Sequence, residues 1–290
     1  MTPGVDRGRG AGIAAVVAAL VGFSWGFVLA KLIAAPPPVI AMWRLAIGAA
    51  VLTAIAAALR APWPRLRGAV LVSGIAFGVH QMLYVTSVQW TSVSVVALIG
   101  AAQPLLVSAV SRRTVGEPVS RALVACSALA LAGVAVVVHA DLGSASHTVR
   151  GDLAAIANLA VVTVYFLAAK RARVDGAPTL TLTAATLAIA LCVVAPVAAA
   201  TAPDLSPPRG RQLGYLLVLA LGSGNCHLLV NWAHRRVSAA LAALILSGLP
   251  ILVGIWGHLV LGETLGWRHA AGMALVVASI DLARRAERRT

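Results

Sequence analysis

Residues 92–117 read SVSVVALIGAAQPLLVSAVSRRTVGE, and residues 238–263 read SAALAALILSGLPILVGIWGHLVLGE. Set one above the other at an offset of 146, nine of the 26 positions are identical: Ser92, Ala97, Leu98, Ile99, Pro104, Leu106, Val107, Gly116 and Glu117. Apolar residues coincide easily, so the shared proline and the closing Gly-Glu pair carry the comparison. Each copy is a long apolar run that ends in polar residues, and each holds a proline near its middle. A run of roughly 20 apolar residues rises about 30 Å as a helix, enough to cross the hydrocarbon core of a bilayer. The duplicated segment is therefore a membrane span, present once in each half of the chain.

Working outward from these two copies, the whole chain divides in the same way. Of its 290 residues, 60% are apolar and 11% charged, and the mean hydropathy is +0.92. A water-soluble domain carries about twice that charge. The composition excludes a soluble globule, a disordered chain and a disulfide scaffold. Ten segments are expected to span: 11–32, 38–59, 68–88, 92–111, 119–139, 151–169, 178–200, 212–233, 238–261 and 266–283. Pro36-Pro37-Pro38 separates the first two, because proline is accepted in the first turn of a helix and not inside it. The longest connections are Asp141–Arg150 and Thr201–Arg211. Arg7 and Arg9 before the first apolar run resemble the start of a signal peptide. That run continues to Lys31 without a small-residue cleavage site, so it is expected to remain as a span.

The cations sort by side. With the amino terminus inside, 17 of the 23 Lys and Arg fall in cytoplasmic connections or ends, among them Arg112, Arg113, Arg235, Arg236, Arg288 and Arg289. Five fall outside: Lys31, Arg150, Arg209, Arg211 and Arg268. Arg44 lies within the second span. The positive-inside rule then places both termini in the cytoplasm. Cations scattered between spans also remove nucleic acid as a partner, since no basic face is formed. Cys126, Cys192 and Cys226 sit in apolar segments without metal-ligand spacing and read as small packing residues.

Two copies of five spans each must enter the membrane in opposite senses, because five is odd. The charges agree: no cation precedes Ser92 closely, whereas Arg235 and Arg236 precede Ser238. The fold class expected is an all-α polytopic membrane protein of ten transmembrane helices in two inverted five-helix repeats, 11–139 and 151–283. A second shift, of 140, pairs Trp25 with Tyr165 and Lys31 with Arg171.

Polar residues at membrane depth are costly and mark a cavity or an interhelical bond. His80, Tyr84 and Ser87 share a face of the third span, with Gln81 beside them. Ser223, His227 and Asn231 share a face of the eighth, with Asn225 adjacent. At the 146-residue offset Gln81 corresponds to His227. Trp25 and Tyr165 are expected to offer aromatic walls, with Asn158 one face-turn before Tyr165, and Gln103 directs towards the same space. These ten residues, Trp25, His80, Gln81, Tyr84, Gln103, Asn158, Tyr165, Asn225, His227 and Asn231, form the expected substrate-binding set. Pro104 and Pro250 remove a backbone donor at corresponding places and are expected to act as hinges or gates. Ser247 and Gly254 suit close packing. Arg44 suits snorkelling, the capping of helix ends or contact with an anionic substrate group, structural duty being favoured, and Glu117 and Glu263 are assigned structural duty as complements of helix starts.

All nine acids lie outside the mid-membrane region. No P-loop is present, so ATP is not expected to act on the chain directly. His80 and His227 lack an acidic neighbour and HExxH spacing, which argues against a membrane-embedded enzyme. No cofactor and no metal are expected.

Trp25-Gly26 followed by Lys31, Arg44, Pro104 with Gly116-Glu117, Gly151-Asp152, and Pro250 with Gly262-Glu263 occur in an order that resembles EamA-type members of the drug/metabolite transporter superfamily. The resemblance spans about residues 11 to 283. It implies two five-helix repeats around a central cavity and alternating access for a small organic solute, such as an amino acid or related metabolite. Outward movement is favoured. It further implies a multi-pass protein of a bacterial-type plasma (inner) membrane, with the lipid bilayer and the solute as partners. Monomer and homodimer both stay open. Small multidrug exporters, a related group, use a first-helix glutamate for proton exchange; the first span here has none, which disfavours proton-coupled cation efflux. A non-transporting receptor or assembly subunit is the remaining alternative.

Overall fold

The computed structural model describes residues 3–117, 121–141, 148–263 and 266–287. The expected charges Arg288 and Arg289, and most of the Asp141–Arg150 connection, lie outside the described residues. Every regular element among those described is helical: α1 (Pro3–Leu32), α2 (Pro37–Ala58), α3 (Ala69–Trp90), α4 (Val93–Gly100), α5 (Gln103–Thr114), α6 (Arg121–Asp141), α7 (Val149–Val174), α8 (Thr179–Thr201), α9 (Arg211–Val218), α10 (Cys226–Ala233), α11 (Ala239–Leu246), α12 (Leu249–Leu261) and α13 (Trp267–Glu287). One π-helical turn, Leu219–Ser223, joins α9 to α10.

Among the described residues eight segments are long and apolar enough to cross a membrane; three of these are composite, Val93–Thr114, Arg211–Ala233 and Ala239–Leu261. The other two of the ten expected, α6 and α13, contain shorter apolar stretches, Val124–Gly133 and Ala270–Ser279.

Two composite spans break where the prolines stand. α4 stops at Gly100, Ala101 and Ala102 form a turn, and α5 restarts with Pro104 in its first turn. α11 stops at Leu246, and after Ser247-Gly248 α12 restarts with Pro250 in its first turn. Proline lacks the amide that would bond the carbonyl four residues back, here Gly100 and Leu246, so the ladder ends and a new helix begins. Each span is thus fully broken at its proline.

The main contacts join one half to the other. α2 lies on α8, α6 on α13, α3 on α7 and α1 on α10, while α4 packs against α12 and α5 against α11. The helices of the two halves thus interleave. Close approach is permitted by glycines: a Cβ on Gly78 would sit 2.9 Å from the Ala190 carbonyl oxygen of α8, and one on Gly133 2.6 Å from that of Gly272 on α13. The main apolar core gathers Phe77, Ile40, Leu45, Val85 and Leu187 beneath the central helices.

Two brackets tie the halves together. Glu263 accepts from the Val93 amide (3.0 Å) and the Ser94 hydroxyl (2.6 Å) at the start of α4. Glu117 accepts from the Ala239 amide (2.8 Å) at the start of α11 and pairs with the Lys170 ammonium at 2.7 Å. Each carboxylate satisfies the open amides of a helix in the opposite half. Lys170 also donates to the carbonyls of His234 and Val237 (2.7 Å for the latter). Lys31 likewise donates to the carbonyls of Gln89 (3.2 Å) and Thr91 (2.8 Å). Because α4–α5 runs from Ser92 to Glu117, and α11–α12 returns from Ser238 to Glu263, the brackets sit at opposite ends of this pair.

The brackets correct the second sequence alignment. Thr91 and Val237 are 146 apart and hold Lys31 and Lys170 respectively, so Lys31 corresponds to Lys170 and not to Arg171. Arg171 instead is exposed and pairs with Asp175 at 3.0 Å. The true shift between α1 and α7 is 139, which matches Trp25 with Val164 and Tyr165 with Gly26.

Candidate functional site

Nineteen residues from both halves enclose a cavity of about 110 Å³. α1 supplies Phe23 and Phe27; α3 supplies His80, Gln81 and Tyr84; α7 supplies Asn158, Val162, Tyr165 and Phe166. The broken helices contribute Gly100, Gln103, Leu246 and Leu249, while the π-helical turn and α10 bring Ser223, His227 and Val230. α2 adds Arg44. Gly100 and Leu246 are the residues that precede each proline by four, so both helix breaks open onto the cavity.

Local sequence explains how these groups arrive. Helical spacing puts His80 and Tyr84 on one face of α3, and Asn158, Val162, Tyr165 and Phe166 on one face of α7. The small residues Gly222-Ser223-Gly224 accommodate the π-helical turn, in which the Gly224 amide bonds the Leu219 carbonyl at 2.8 Å. Such a turn inserts one extra residue per bond and re-aims the helical turns after it. α1 approaches it closely at Gly26, where a Cβ would stand 2.3 Å from the Ser223 hydroxyl.

The aromatic groups form one cluster. Phe77, buried below the cavity, lies 4.6 Å from the rings of both Tyr165 and His227 and 5.5 Å from His80. Phe23 stacks obliquely on His227 at 4.6 Å, and Phe27 meets Tyr84 edge-on at 5.1 Å. The His80 Nδ1–H donates to Asn158 Oδ1 at 2.6 Å, leaving Nε2 of a neutral ring as an acceptor. Tyr165 Oη and His227 Nδ1 are 3.1 Å apart; with the phenol donating, the His227 proton is on Nε2 and is a donor. The two imidazoles are held by different partners in complementary roles.

Several polar atoms have none. Both amide atoms of Gln81, the Gln103 Nε2 and the Arg44 Nη1 are buried without a hydrogen-bond partner. The Arg44 guanidinium lies 5.5 Å from the centre of the Tyr84 ring. No Asp or Glu is among the lining residues.

Of the ten residues expected at the site, seven line this cavity: His80, Gln81, Tyr84, Gln103, Asn158, Tyr165 and His227. Trp25 does not; it is 39% exposed and stacks on Trp256 at 4.3 Å, a place that suits its corrected counterpart Val164, also exposed. Asn231 is fully buried behind the cavity and donates to Thr183 Oγ1 at 3.0 Å. Asn225 lies towards α2, where its Oδ1 is buried without a partner. Phe23, Phe27 and Phe166 were not expected at the site, and Arg44, open to contact with an anionic group but favoured as structural, stood outside the ten. For Arg44 the signal was present: a lone ionisable residue inside a span is a functional candidate by default. The phenylalanines carry no signal that separates them from lipid-facing ones.

The sequence profile of the EamA-like transporter family matches residues 10–139 and again 149–284, nearly the whole chain. The chain belongs to the EamA-like transporter family. A protein solved by crystallography has the same fold, with a TM-score of 0.79 over 97% of this chain and 100% of its own, at 23% sequence identity. None of the functionally curated proteins matches it. This EamA-like chain is accordingly a multi-pass helical membrane protein, and its two profile matches fall on the two halves that interleave.

Proposed function

We propose that this chain is a secondary transporter that moves a small organic solute through the membrane by alternating access, in the outward direction. In this reading α6 and α13 also span, giving ten helices in two inverted repeats, 11–139 and 151–283, with both termini in the cytoplasm. The solute occupies the cavity between the halves. Pro104 and Pro250 mark the moving elements, and the Glu117–Lys170 pair and the Glu263 cap on Val93 and Ser94 close opposite ends.

One observation carries the reading. A cavity with unpaired amide and guanidinium groups sits where two broken helices, running in opposite directions, meet between counterpart elements of the two halves. Discontinuous helices at the midpoint are a recurring way for transporters to present backbone polar groups to a solute. The charge split across the connections supports the orientation. The absence of an acid among the lining residues weighs against exchange of protons for organic cations at this site.

The test compares solutes released by cells expressing the chain with those released by cells expressing a Gln81→Leu, His227→Ala variant at equal membrane abundance. A solute enriched outside only with the unmutated chain supports export through this cavity. Accumulation inside would reverse the direction, and equal release by both forms would move the path elsewhere.

A further inference from the structure

We propose that the cavity binds the carboxylate of a small organic monoanion at Arg44, with the apolar body of that acid against Phe23, Phe27 and Phe166. This rests on the transporter reading and narrows it to a substrate class.

Arg44 is the one charged residue of α2 and is 5% exposed. A guanidinium keeps its charge in any protein environment and offers a flat fork of donors that matches a carboxylate. Burying that charge without a counter-ion is strongly unfavourable, so a buried arginine normally has an acid beside it. Here its Nη1 lacks any partner, and no Asp or Glu lines the cavity it faces. Tyr84 offers a ring face, which accommodates a cation without neutralising it.

Two further donors converge from separate elements. Gln81 Nε2 on α3 and Gln103 Nε2 on α5 are buried and unpaired. With Arg44 they make three unused donor groups from three helices around one small space. Against these donors and the His227 Nε2–H, the acceptors left among the lining groups are Gln81 Oε1 and His80 Nε2. An arrangement rich in donors, with one fixed positive charge, fits an anion. A second negative charge on the solute would find no second cation among the lining residues, which selects a monoanion over a dicarboxylate or a phosphate ester. An ammonium group would find no carboxylate, which separates a plain carboxylic acid from an amino acid. The remaining wall is aromatic and aliphatic, so the body of the acid is apolar.

The experiment measures thermal stability of the purified full chain in detergent at neutral pH. The probes are phenylacetate and 4-methylvalerate, each beside its own primary amide, then phenethylamine, phenylalanine, malonate and sodium chloride, all at about 10 mM so that weak sites still register. The two monocarboxylates are expected to raise the midpoint, and the amides, the amine and chloride are not. Arg44→Gln should weaken the carboxylate effect by about tenfold to a hundredfold, as loss of a charged hydrogen bond does. Arg44→Lys should retain part of it. Gln103→Leu leaves the charge in place and should weaken binding less, which keeps the test available if the arginine variants do not fold.

Equal stabilisation by an acid and its amide would overturn the proposal. So would a response to chloride alone, a preference for phenylalanine or malonate, or no response to either monocarboxylate. Flux in proteoliposomes separates the two readings. Flux of a neutral solute keeps the transporter and removes the anion site, whereas carboxylate binding without flux of any probe keeps the site and removes the transporter.

Discussion

Replacing Glu117 by Gln should expose how the two halves are fastened. The carboxylate spans two bonds, to the Ala239 amide at 2.8 Å and the Lys170 ammonium at 2.7 Å, and Lys170 is 3% exposed. Glutamine preserves the first and leaves the ammonium with the carbonyls of His234 and Val237 alone. Breaking one side of a buried pair costs about 3–5 kcal/mol. The Glu117 side chain is 25% exposed, so water reaches it and the figure falls to about 2–3 kcal/mol. Lys170→Met strands the glutamate and both carbonyls, each about 1–3 kcal/mol if water does not reach them. The double variant Glu117→Gln, Lys170→Met removes the stranded charge and should lose less than the two singles combined, by about 1 kcal/mol or more. For a chain of this size 1 kcal/mol moves a thermal midpoint by about 2–4 °C, so Glu117→Gln should lower it by about 4–12 °C and Lys170→Met by at least as much. The assay is the apparent midpoint of detergent-solubilised protein for the four forms at one heating rate. Glu263→Gln at the other bracket should fall by less, because there the carboxylate chiefly caps Val93 and Ser94, a contribution of about 1 kcal/mol. Singles that leave the midpoint within about 1 °C, or a double equal to their sum, would refute the claim that a coupled buried pair holds this end.

Pro104→Ala and Pro250→Ala restore the missing amides; the protein should stay folded while solute flux slows by about fivefold or more, and unchanged flux would remove the hinge role. Gly78→Ala pushes a methyl to 2.9 Å from both the Ala190 carbonyl oxygen and the Val193 Cβ, which should cost about 1–3 kcal/mol, whereas Gly214→Ala meets nothing within 4 Å and should be neutral or mildly stabilising; equal midpoints for the two would contradict the packing of α3 on α8. His234, beyond the end of its span, is buried against Phe166, and burial together with Lys170 and Arg173 holds its imidazole well below the ordinary 6.5. The unfolded chain takes up a proton that the folded one refuses, so stability is full above about pH 6.5 and declines below it by up to about 1.4 kcal/mol per pH unit. His234→Gln should flatten that acid decline, and an unchanged slope would assign it to other groups.

What the sequence discloses about this fold follows from length. An apolar stretch long enough to cross a bilayer has few alternatives, so most spans could be read directly. The breaks could not be, because Gly100-Ala101-Ala102 and Ser247-Gly248 are small, uncharged residues that do not interrupt the hydropathy of their spans. Pro104 and Pro250 stood at those places, yet a proline inside a span and a proline opening a new helix look alike until the backbone is seen.

The site was harder, since a helix turns about 100° per residue. Lys170 and Arg171 are adjacent cations, and choosing the wrong one as the counterpart of Lys31 rotated α1 by that angle, which brought Trp25 inward in place of Gly26. The corrected match sets Tyr165 against Gly26, where the Ser223 and Tyr84 hydroxyls occupy the space a side chain would need. The halves are thus alike in backbone and unlike at the cavity. Aligning Pro36 with Pro178, which precede α2 and α8, likewise sets Thr186 opposite Arg44, and Thr186 is paired with Ser73 at 3.2 Å. One half therefore supplies a charge that the other does not. With one cation among the lining residues the two sides of the cavity are unlike, so a monoanion bound as proposed is held in one orientation, set by the half that holds Arg44.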